Sequence, residues 1–204
     1  MPQNFNHDGL ARLMLDAGRL AADGAPNDGA KLIEERWPHQ VASRARRSAS
    51  PAMKLKVFRA DGFRCRYTGD LLLFPATLTA LSVLMPDTLP THRNGKAEEA
   101  HEVYWTHFPS LEHVAPVATG GVDAEDNWIT TSMARNQVRS RYRLEALGWK
   151  IRPREPLPDW DGGLALFMEL VERRPDLLAD PMWGKYLTSW HRVGTNELAA
   201  RPAG

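Results

Sequence analysis

The chain has 204 residues, 43% of them hydrophobic, with 26 Lys or Arg against 25 Asp or Glu and one cysteine, which is enough for one sizeable core with helical additions but not for two full domains. No apolar run approaches the ~18 residues needed to cross a bilayer, and MPQNFNHDG lacks the basic and apolar regions of a signal peptide, so a cytoplasmic protein without a membrane partner is expected. Cys65 alone supports neither a disulfide framework nor a thiolate zinc site.

Net charge hides a strong segregation. Arg36 to Arg66 carries nine Lys or Arg against one acid, Asp61; Arg135 to Arg154 carries seven against one, Glu145; Lys96 to Asn127 carries seven acids against one lysine. Two basic stretches around an acidic centre suit a polyanion gripped by its phosphates while metal ligands sit between them.

Leu10, Leu13, Met14 and Ala17 recur at helical spacing, and Leu32, Ile33 and Trp37 suggest a second helix after the break from Gly24 to Gly29. These and the basic stretch SRARRSAS make residues 1–49 a helical extension with a linker. Ser50 then reads as an N-cap, Pro51 as the first helical residue and Gly62 as the stop of a helix bearing Lys54, Lys56 and Arg59. FRCRYTGD reads as a tight hairpin or knuckle, and residues 71–108 as an insertion with one apolar helix-like piece, Leu78 to Met85. Residues 156–204 form a C-terminal helical extension, patterned by Leu164, Phe167, Met168 and Val171 and then by Trp183, Leu187 and Trp190.

Chemistry concentrates in LEHVAPVATGGVDAEDNWITTSMARNQVRSRY, residues 111–142. Leu111 to Val114 is strand-like and stopped by Pro116, TGGVDAED is a loop, and Asn127-Trp-Ile-Thr-Thr opens a second strand. Ser132 caps a helix expected to run through Val138 and Leu144 to Gly148. Glu112 and His113, as strand neighbours, point to opposite sides unless the strand end is irregular. Asn136 falls on the first helical turn, within reach of the strand pair. A carboxylate and an amide oxygen are hard ligands that Mg²⁺ accepts, and a neutral imidazole can take a proton from water near neutral pH.

This segment resembles the HNH motif, written with Asp-His, a Gly-Gly loop, an Asn, and a His or Asn on the following helix. VFRADGFRCRYTG before it and LEALGWKIRP after it resemble a bacterial HNH subfamily, so the likeness covers roughly residues 50–185. The resemblance implies an α+β fold with a ββα-metal core over residues 50–155, and a DNA endonuclease giving 5′-phosphate and 3′-hydroxyl ends. It implies His113 as general base, Asn127 as the brace of its loop, and Glu112 and Asn136 as ligands of one Mg²⁺ or Mn²⁺. Arg135 and Arg139, four apart on the Asn136 helix, are expected to grip the phosphate backbone together with Arg46, Arg47 and Lys54.

Two departures accompany it. Glu112 stands where Asp is more common. Cys65-Arg-Tyr-Thr68 and Ser132-Met-Ala-Arg135 stand where many members carry Cys-x-x-Cys pairs, so no structural zinc is expected. The alternative reading is a non-catalytic DNA-binding module on the same scaffold. His92, His101 and His107 lack regular ligand spacing and suit structural hydrogen bonding; Trp105, Trp128, Trp149 and Trp160 suit the core better than base stacking.

Overall fold

The computed structural model describes residues 7–37, 49–117, 120–140, 142 and 144–199. In chain order the described elements are helices α1 (His7–Ala22), α2 (Pro26–Arg36), α3 (Pro51–Ala60), α4 (Pro75–Leu84) and α5 (Val103–Thr106), strands β1 (Pro109–His113) and β2 (Trp128–Ser132), and helices α6 (Met133–Arg139), α7 (Leu144–Leu147), α8 (Leu164–Arg173) and α9 (Gly184–Ala199). The fold is thus mixed, mostly helical with one two-stranded antiparallel sheet. None of these helices is long and apolar enough to cross a membrane.

The chain divides into two compact units, one of Met1–Arg46, Ala115–Val122 and Arg141–Lys150, the other of Arg47–Val114, Asp123–Ser140 and Ile151–Gly204. In the first, Leu13 and Ala17 of α1 are buried. A Cβ on Gly29 of α2 would lie 2.6 Å from the Ala17 carbonyl oxygen, so glycine lets the two backbones touch.

The second unit holds the main core. Ser50 accepts a hydrogen bond from the Met53 amide at 3.3 Å and Pro51 opens α3, as their order predicts. From α3, Leu55 and Phe58 meet Phe63, Phe74, Ala76 and Ala80, and then Leu164, Phe167 and Val171 of α8 and Leu187 and Trp190 of α9. Phe74 is the pivot, with its ring 5.2 Å from Trp190 and 5.6 Å from Phe167. Every residue from Pro75 to Ala80 is buried, the mark of a helix enclosed on all sides. The segment read as an insertion and the segment read as a C-terminal addition therefore share one core with α3. Asp161 starts α8 by accepting from the amides of Gly163 (2.8 Å) and Ala165 (2.9 Å). Gly162 at φ +72° abuts Phe63, whose ring a Cβ there would meet at 2.6 Å.

β1 and β2 pair from Pro109 opposite Ser132 to His113 opposite Trp128. Ser132 caps α6 through the Arg135 amide (3.3 Å), as expected. The helix does not run on to Gly148: it ends at Arg139, because Ser140 at φ +45°, ψ −117° leaves the right-handed helical region.

One buried carboxylate ties these pieces together. Asp61, at the C-terminal end of α3, is fully buried. Its Oδ1 accepts from Arg66 Nη1 (2.6 Å) and Arg154 Nε (2.9 Å), and its Oδ2 from the Thr130 amide of β2 (2.8 Å). Removing one member of a buried charge pair strands the others. Asp61→Ala should therefore cost about 3–5 kcal/mol, measured by denaturant unfolding. Arg154→Ala, whose side chain is 55% exposed and which leaves Arg66 on the same oxygen, should cost less; an Asp61→Ala loss below about 1 kcal/mol would remove Asp61 from this role.

Candidate functional site

The pairing register places His113 on the same sheet face as Trp128, and Glu112 on the other with Ile129. Behind β1 comes the glycine loop. Gly120 takes φ +92°, and a Cβ on Gly121 would sit 1.9 Å from the Ala115 carbonyl oxygen, so this turn demands both glycines. The chain emerges at Asp123, whose Oδ1 lies 2.7 Å from His113 Nε2 and 3.1 Å from Trp128 Nε1. The indole nitrogen can only donate, and it is also 3.1 Å from His113 Nε2. The assignment that satisfies all three atoms has both nitrogens donating to Asp123. That fixes the imidazole tautomer with its proton on Nε2 and leaves Nδ1 as the basic nitrogen.

The end of β1 is clamped from two directions. The Val114 amide donates to the Asn127 carbonyl oxygen at 2.9 Å, so the brace expected of Asn127 includes its backbone. Arg139 Nη2 donates to the carbonyl oxygens of His113 (3.3 Å) and Val114 (2.7 Å). Arg139, expected on the phosphate backbone, is fully buried and cannot reach one; its helix face turns inward because the last carbonyls of β1 need a donor. Arg135, four residues earlier, is exposed on α6. Arg46 and Arg47 lie outside the described residues.

Asn136 donates from Nδ2 to Ser110 Oγ (2.5 Å) and to the Leu111 carbonyl oxygen (3.2 Å). A carbonyl can only accept, so the amide nitrogen faces the strand and Oδ1 faces away from it. Asn136, His113, Asp123, Ser110 and Lys54 all line one cleft of about 350 Å³, beside Trp190 and Tyr186. Glu112 does not line it. Its side chain is buried, its Oε1 accepts the His113 amide at 2.9 Å, and its charge acts on the Tyr67 hydroxyl, as does that of Arg139. The structure thus gathers His113, Asn136 and Lys54 in one place but puts Glu112 elsewhere.

Asp123 escaped the sequence reading. Its only signal was an acid following the Gly-Gly turn, in a run that also holds Glu125 and Asp126. Cys65 is buried with its sulfur 3.4 Å from Thr131 Oγ1. Burial alone would raise its thiol, but hydrogen bonds from Thr131 and Thr68 outweigh it and hold the group below the usual thiol range. His92, His101 and His107 each make a hydrogen bond through Nδ1, to the Asn94 amide, the Val103 amide and the Thr106 hydroxyl. No cluster of three His, Cys, Asp or Glu suited to a metal occurs among the described residues.

No family model matches the chain, and neither a curated protein nor a solved structure does.

Two measurements follow. Arg139→Ala should lower unfolding free energy by at least about 3 kcal/mol, whereas the exposed Arg135→Ala should stay within about 0.5 kcal/mol of the parent; a neutral Arg139→Ala would mean that the guanidinium does not clamp β1. Burial, with the Glu112 charge, pushes the Tyr67 phenol above its ordinary range, against a smaller opposing effect of Arg139. A raised folded-state value means stabilisation that is complete below the unfolded value, about 10, and is lost as pH rises past it. The denaturation midpoint should accordingly fall from about pH 10 upward, more shallowly in Tyr67→Phe; identical slopes would contradict the assignment.

Proposed function

We propose that this chain is a metal-assisted endonuclease of the HNH (ββα-metal) type, hydrolysing DNA phosphodiesters in the cleft beside β1. The observation that carries the reading is the His113–Asp123 pair, 2.7 Å apart, in a cleft that Lys54 and Asn136 also line. Strand, glycine loop, strand and helix follow one another in the order that the motif requires.

In this reading His113 Nδ1 takes the proton of the attacking water. Asp123 holds the ring in the competent tautomer and stabilises the imidazolium that forms, a division of labour typical of oriented general bases. Lys54 places an ammonium on the phosphate and offsets charge as the P–O3′ bond breaks. The backbone clamps of Arg139 and Asn127 keep His113 from moving with the loop that follows it.

The donor set favours different ligands from those that the resemblance implies. Glu112 is off the cleft, whereas Asp123 and Asn136 line it. Mg²⁺ is commonly held by one or two carboxylates, with substrate phosphate and water completing its shell. A carboxylate offers about four lone-pair directions, so pairing with His113 is compatible with holding a cation. Asp123 and Asn136 would thus hold the ion, which when bound supplies Lewis-acid stabilisation of the phosphoryl oxygens.

Supercoiled plasmid nicking in Mg²⁺ or Mn²⁺ tests this. His113→Ala should slow nicking by about 10²–10⁴-fold and Asp123→Asn by at least about tenfold, with both variants still binding DNA. Equal nicking by parent and His113→Ala, or none by either in both metals, would sink the hydrolase reading; DNA binding without any cutting would leave a non-catalytic module.

A further inference from the structure

A second hollow, about 190 Å³, lies in the same unit and shares part of its lining with the cleft. Phe108, Met133 and Tyr186 line both. The rest of its aromatic lining is Tyr104, Trp105 and Trp183. Tyr104 and Trp183 are held in place. The Tyr104 hydroxyl is tied to Ser82 Oγ (2.6 Å) and the Leu78 carbonyl oxygen (3.0 Å), its ring stacks on Phe108 at 5.8 Å, and Trp183 meets Tyr186 edge-on at 5.9 Å. Arg93 sits in the lining, exposed, and makes no ion pair among the described residues, while its neighbour His92 faces Glu99 at 3.6 Å.

The volume is below the ~300 Å³ at which pockets for drug-sized ligands begin, so it suits a single ring system. An aromatic lining of this kind suits stacking of such a ring. One cation lines each, Arg93 the hollow and Lys54 the adjoining cleft, available to the phosphates flanking a base. We propose that this hollow receives one unpaired nucleobase of the strand lying in the His113 cleft, making single-stranded or locally unpaired nucleic acid the preferred substrate. The inference rests on the reading that the cleft handles a nucleic acid. Within a duplex the base faces are covered by their neighbours, so a base must leave the stack, or never have been in one, to use these walls.

Binding in EDTA, where no cutting occurs, separates this proposal from the hydrolase reading. A fluorescently labelled 12-nucleotide DNA strand and the same sequence as a duplex are titrated with full-length protein at fixed salt. The strand should bind at least about fivefold more tightly and quench tryptophan emission, since stacking one base on an aromatic ring is worth roughly fivefold or more in affinity. Trp105→Ala should bring the strand to within about twofold of the duplex, and Trp105→Phe should restore most of the difference. Arg93→Ala, at an exposed position that does not endanger folding, should weaken strand binding about threefold or more whatever the fate of Trp105→Ala. Equal affinity of the parent for strand and duplex overturns the proposal. So does an unchanged strand affinity in Arg93→Ala, or an unchanged strand preference in a folded Trp105→Ala. Strand preference without plasmid nicking would keep the base pocket and remove the hydrolase; nicking without strand preference would do the reverse.

Discussion

A buried carboxylate surrounded by cations is costly unless every lone pair is used, and Asp61 is such a group. It is the only acid among nine Lys and Arg between Arg36 and Arg66. Folding removes it from water completely, and three donors from separate parts of the chain offset that loss: Arg66, Arg154 and the Thr130 amide. Thr130 also reaches α3 through its hydroxyl, 3.4 Å from the Val57 carbonyl oxygen. The depth and register of β2 against α3 are set by these contacts. Because β1 pairs with β2 residue by residue, the height of His113 above the core follows from them as well.

The acidic centre of the sequence has a different meaning from the one its charge count suggests. Glu125 is paired with Lys56 at 2.7 Å and Glu99 with Lys96 at 2.5 Å. Asp123 holds His113, and Glu112 is buried on the far face of β1. Three of the seven, Glu99, Glu112 and Glu125, make contacts within the fold, and Asp123 lines the cleft. A window of sequence reports that charges are concentrated there, but not which face of a strand or which neighbour each will meet.

What was legible was local. The Ser50 and Ser132 caps and the Pro51 start are fixed by residues within four positions of one another and stand where the sequence puts them, while β1 begins two residues before the Leu111 that opens the strand-like run. What was not legible required a partner far along the chain. Nothing near Arg139 says that its guanidinium will meet the carbonyls of residues 113 and 114, and helical spacing from Arg135 points equally well to a solvated face. The end of α6 at Ser140 is of the same kind, since the apolar pattern continues past it while the backbone does not. Residues 71–108 looked separate because their periodicity is interrupted by Pro86 and Pro90. Yet Phe74 just before α4 is the residue on which Phe63, Phe167 and Trp190 converge.

That convergence has a consequence for the cleft. Trp190 and Tyr186 of α9 pack against the core by one edge and line the cleft by another. The far C-terminal helix thus supplies wall to a site whose polar groups come from α3, β1, α6 and the turn at Asp123. A fragment covering only the motif would lack much of the cleft's apolar side, because Tyr186 and Trp190 lie downstream of it and Phe58 and Pro75 upstream. A short β-hairpin is marginal alone, and here the burial of α4, α8 and α9 against α3 makes the hairpin a fixed edge of a larger body. The motif carries His113, Asp123 and Asn136 of the cleft, and the helices around it supply much of its apolar wall.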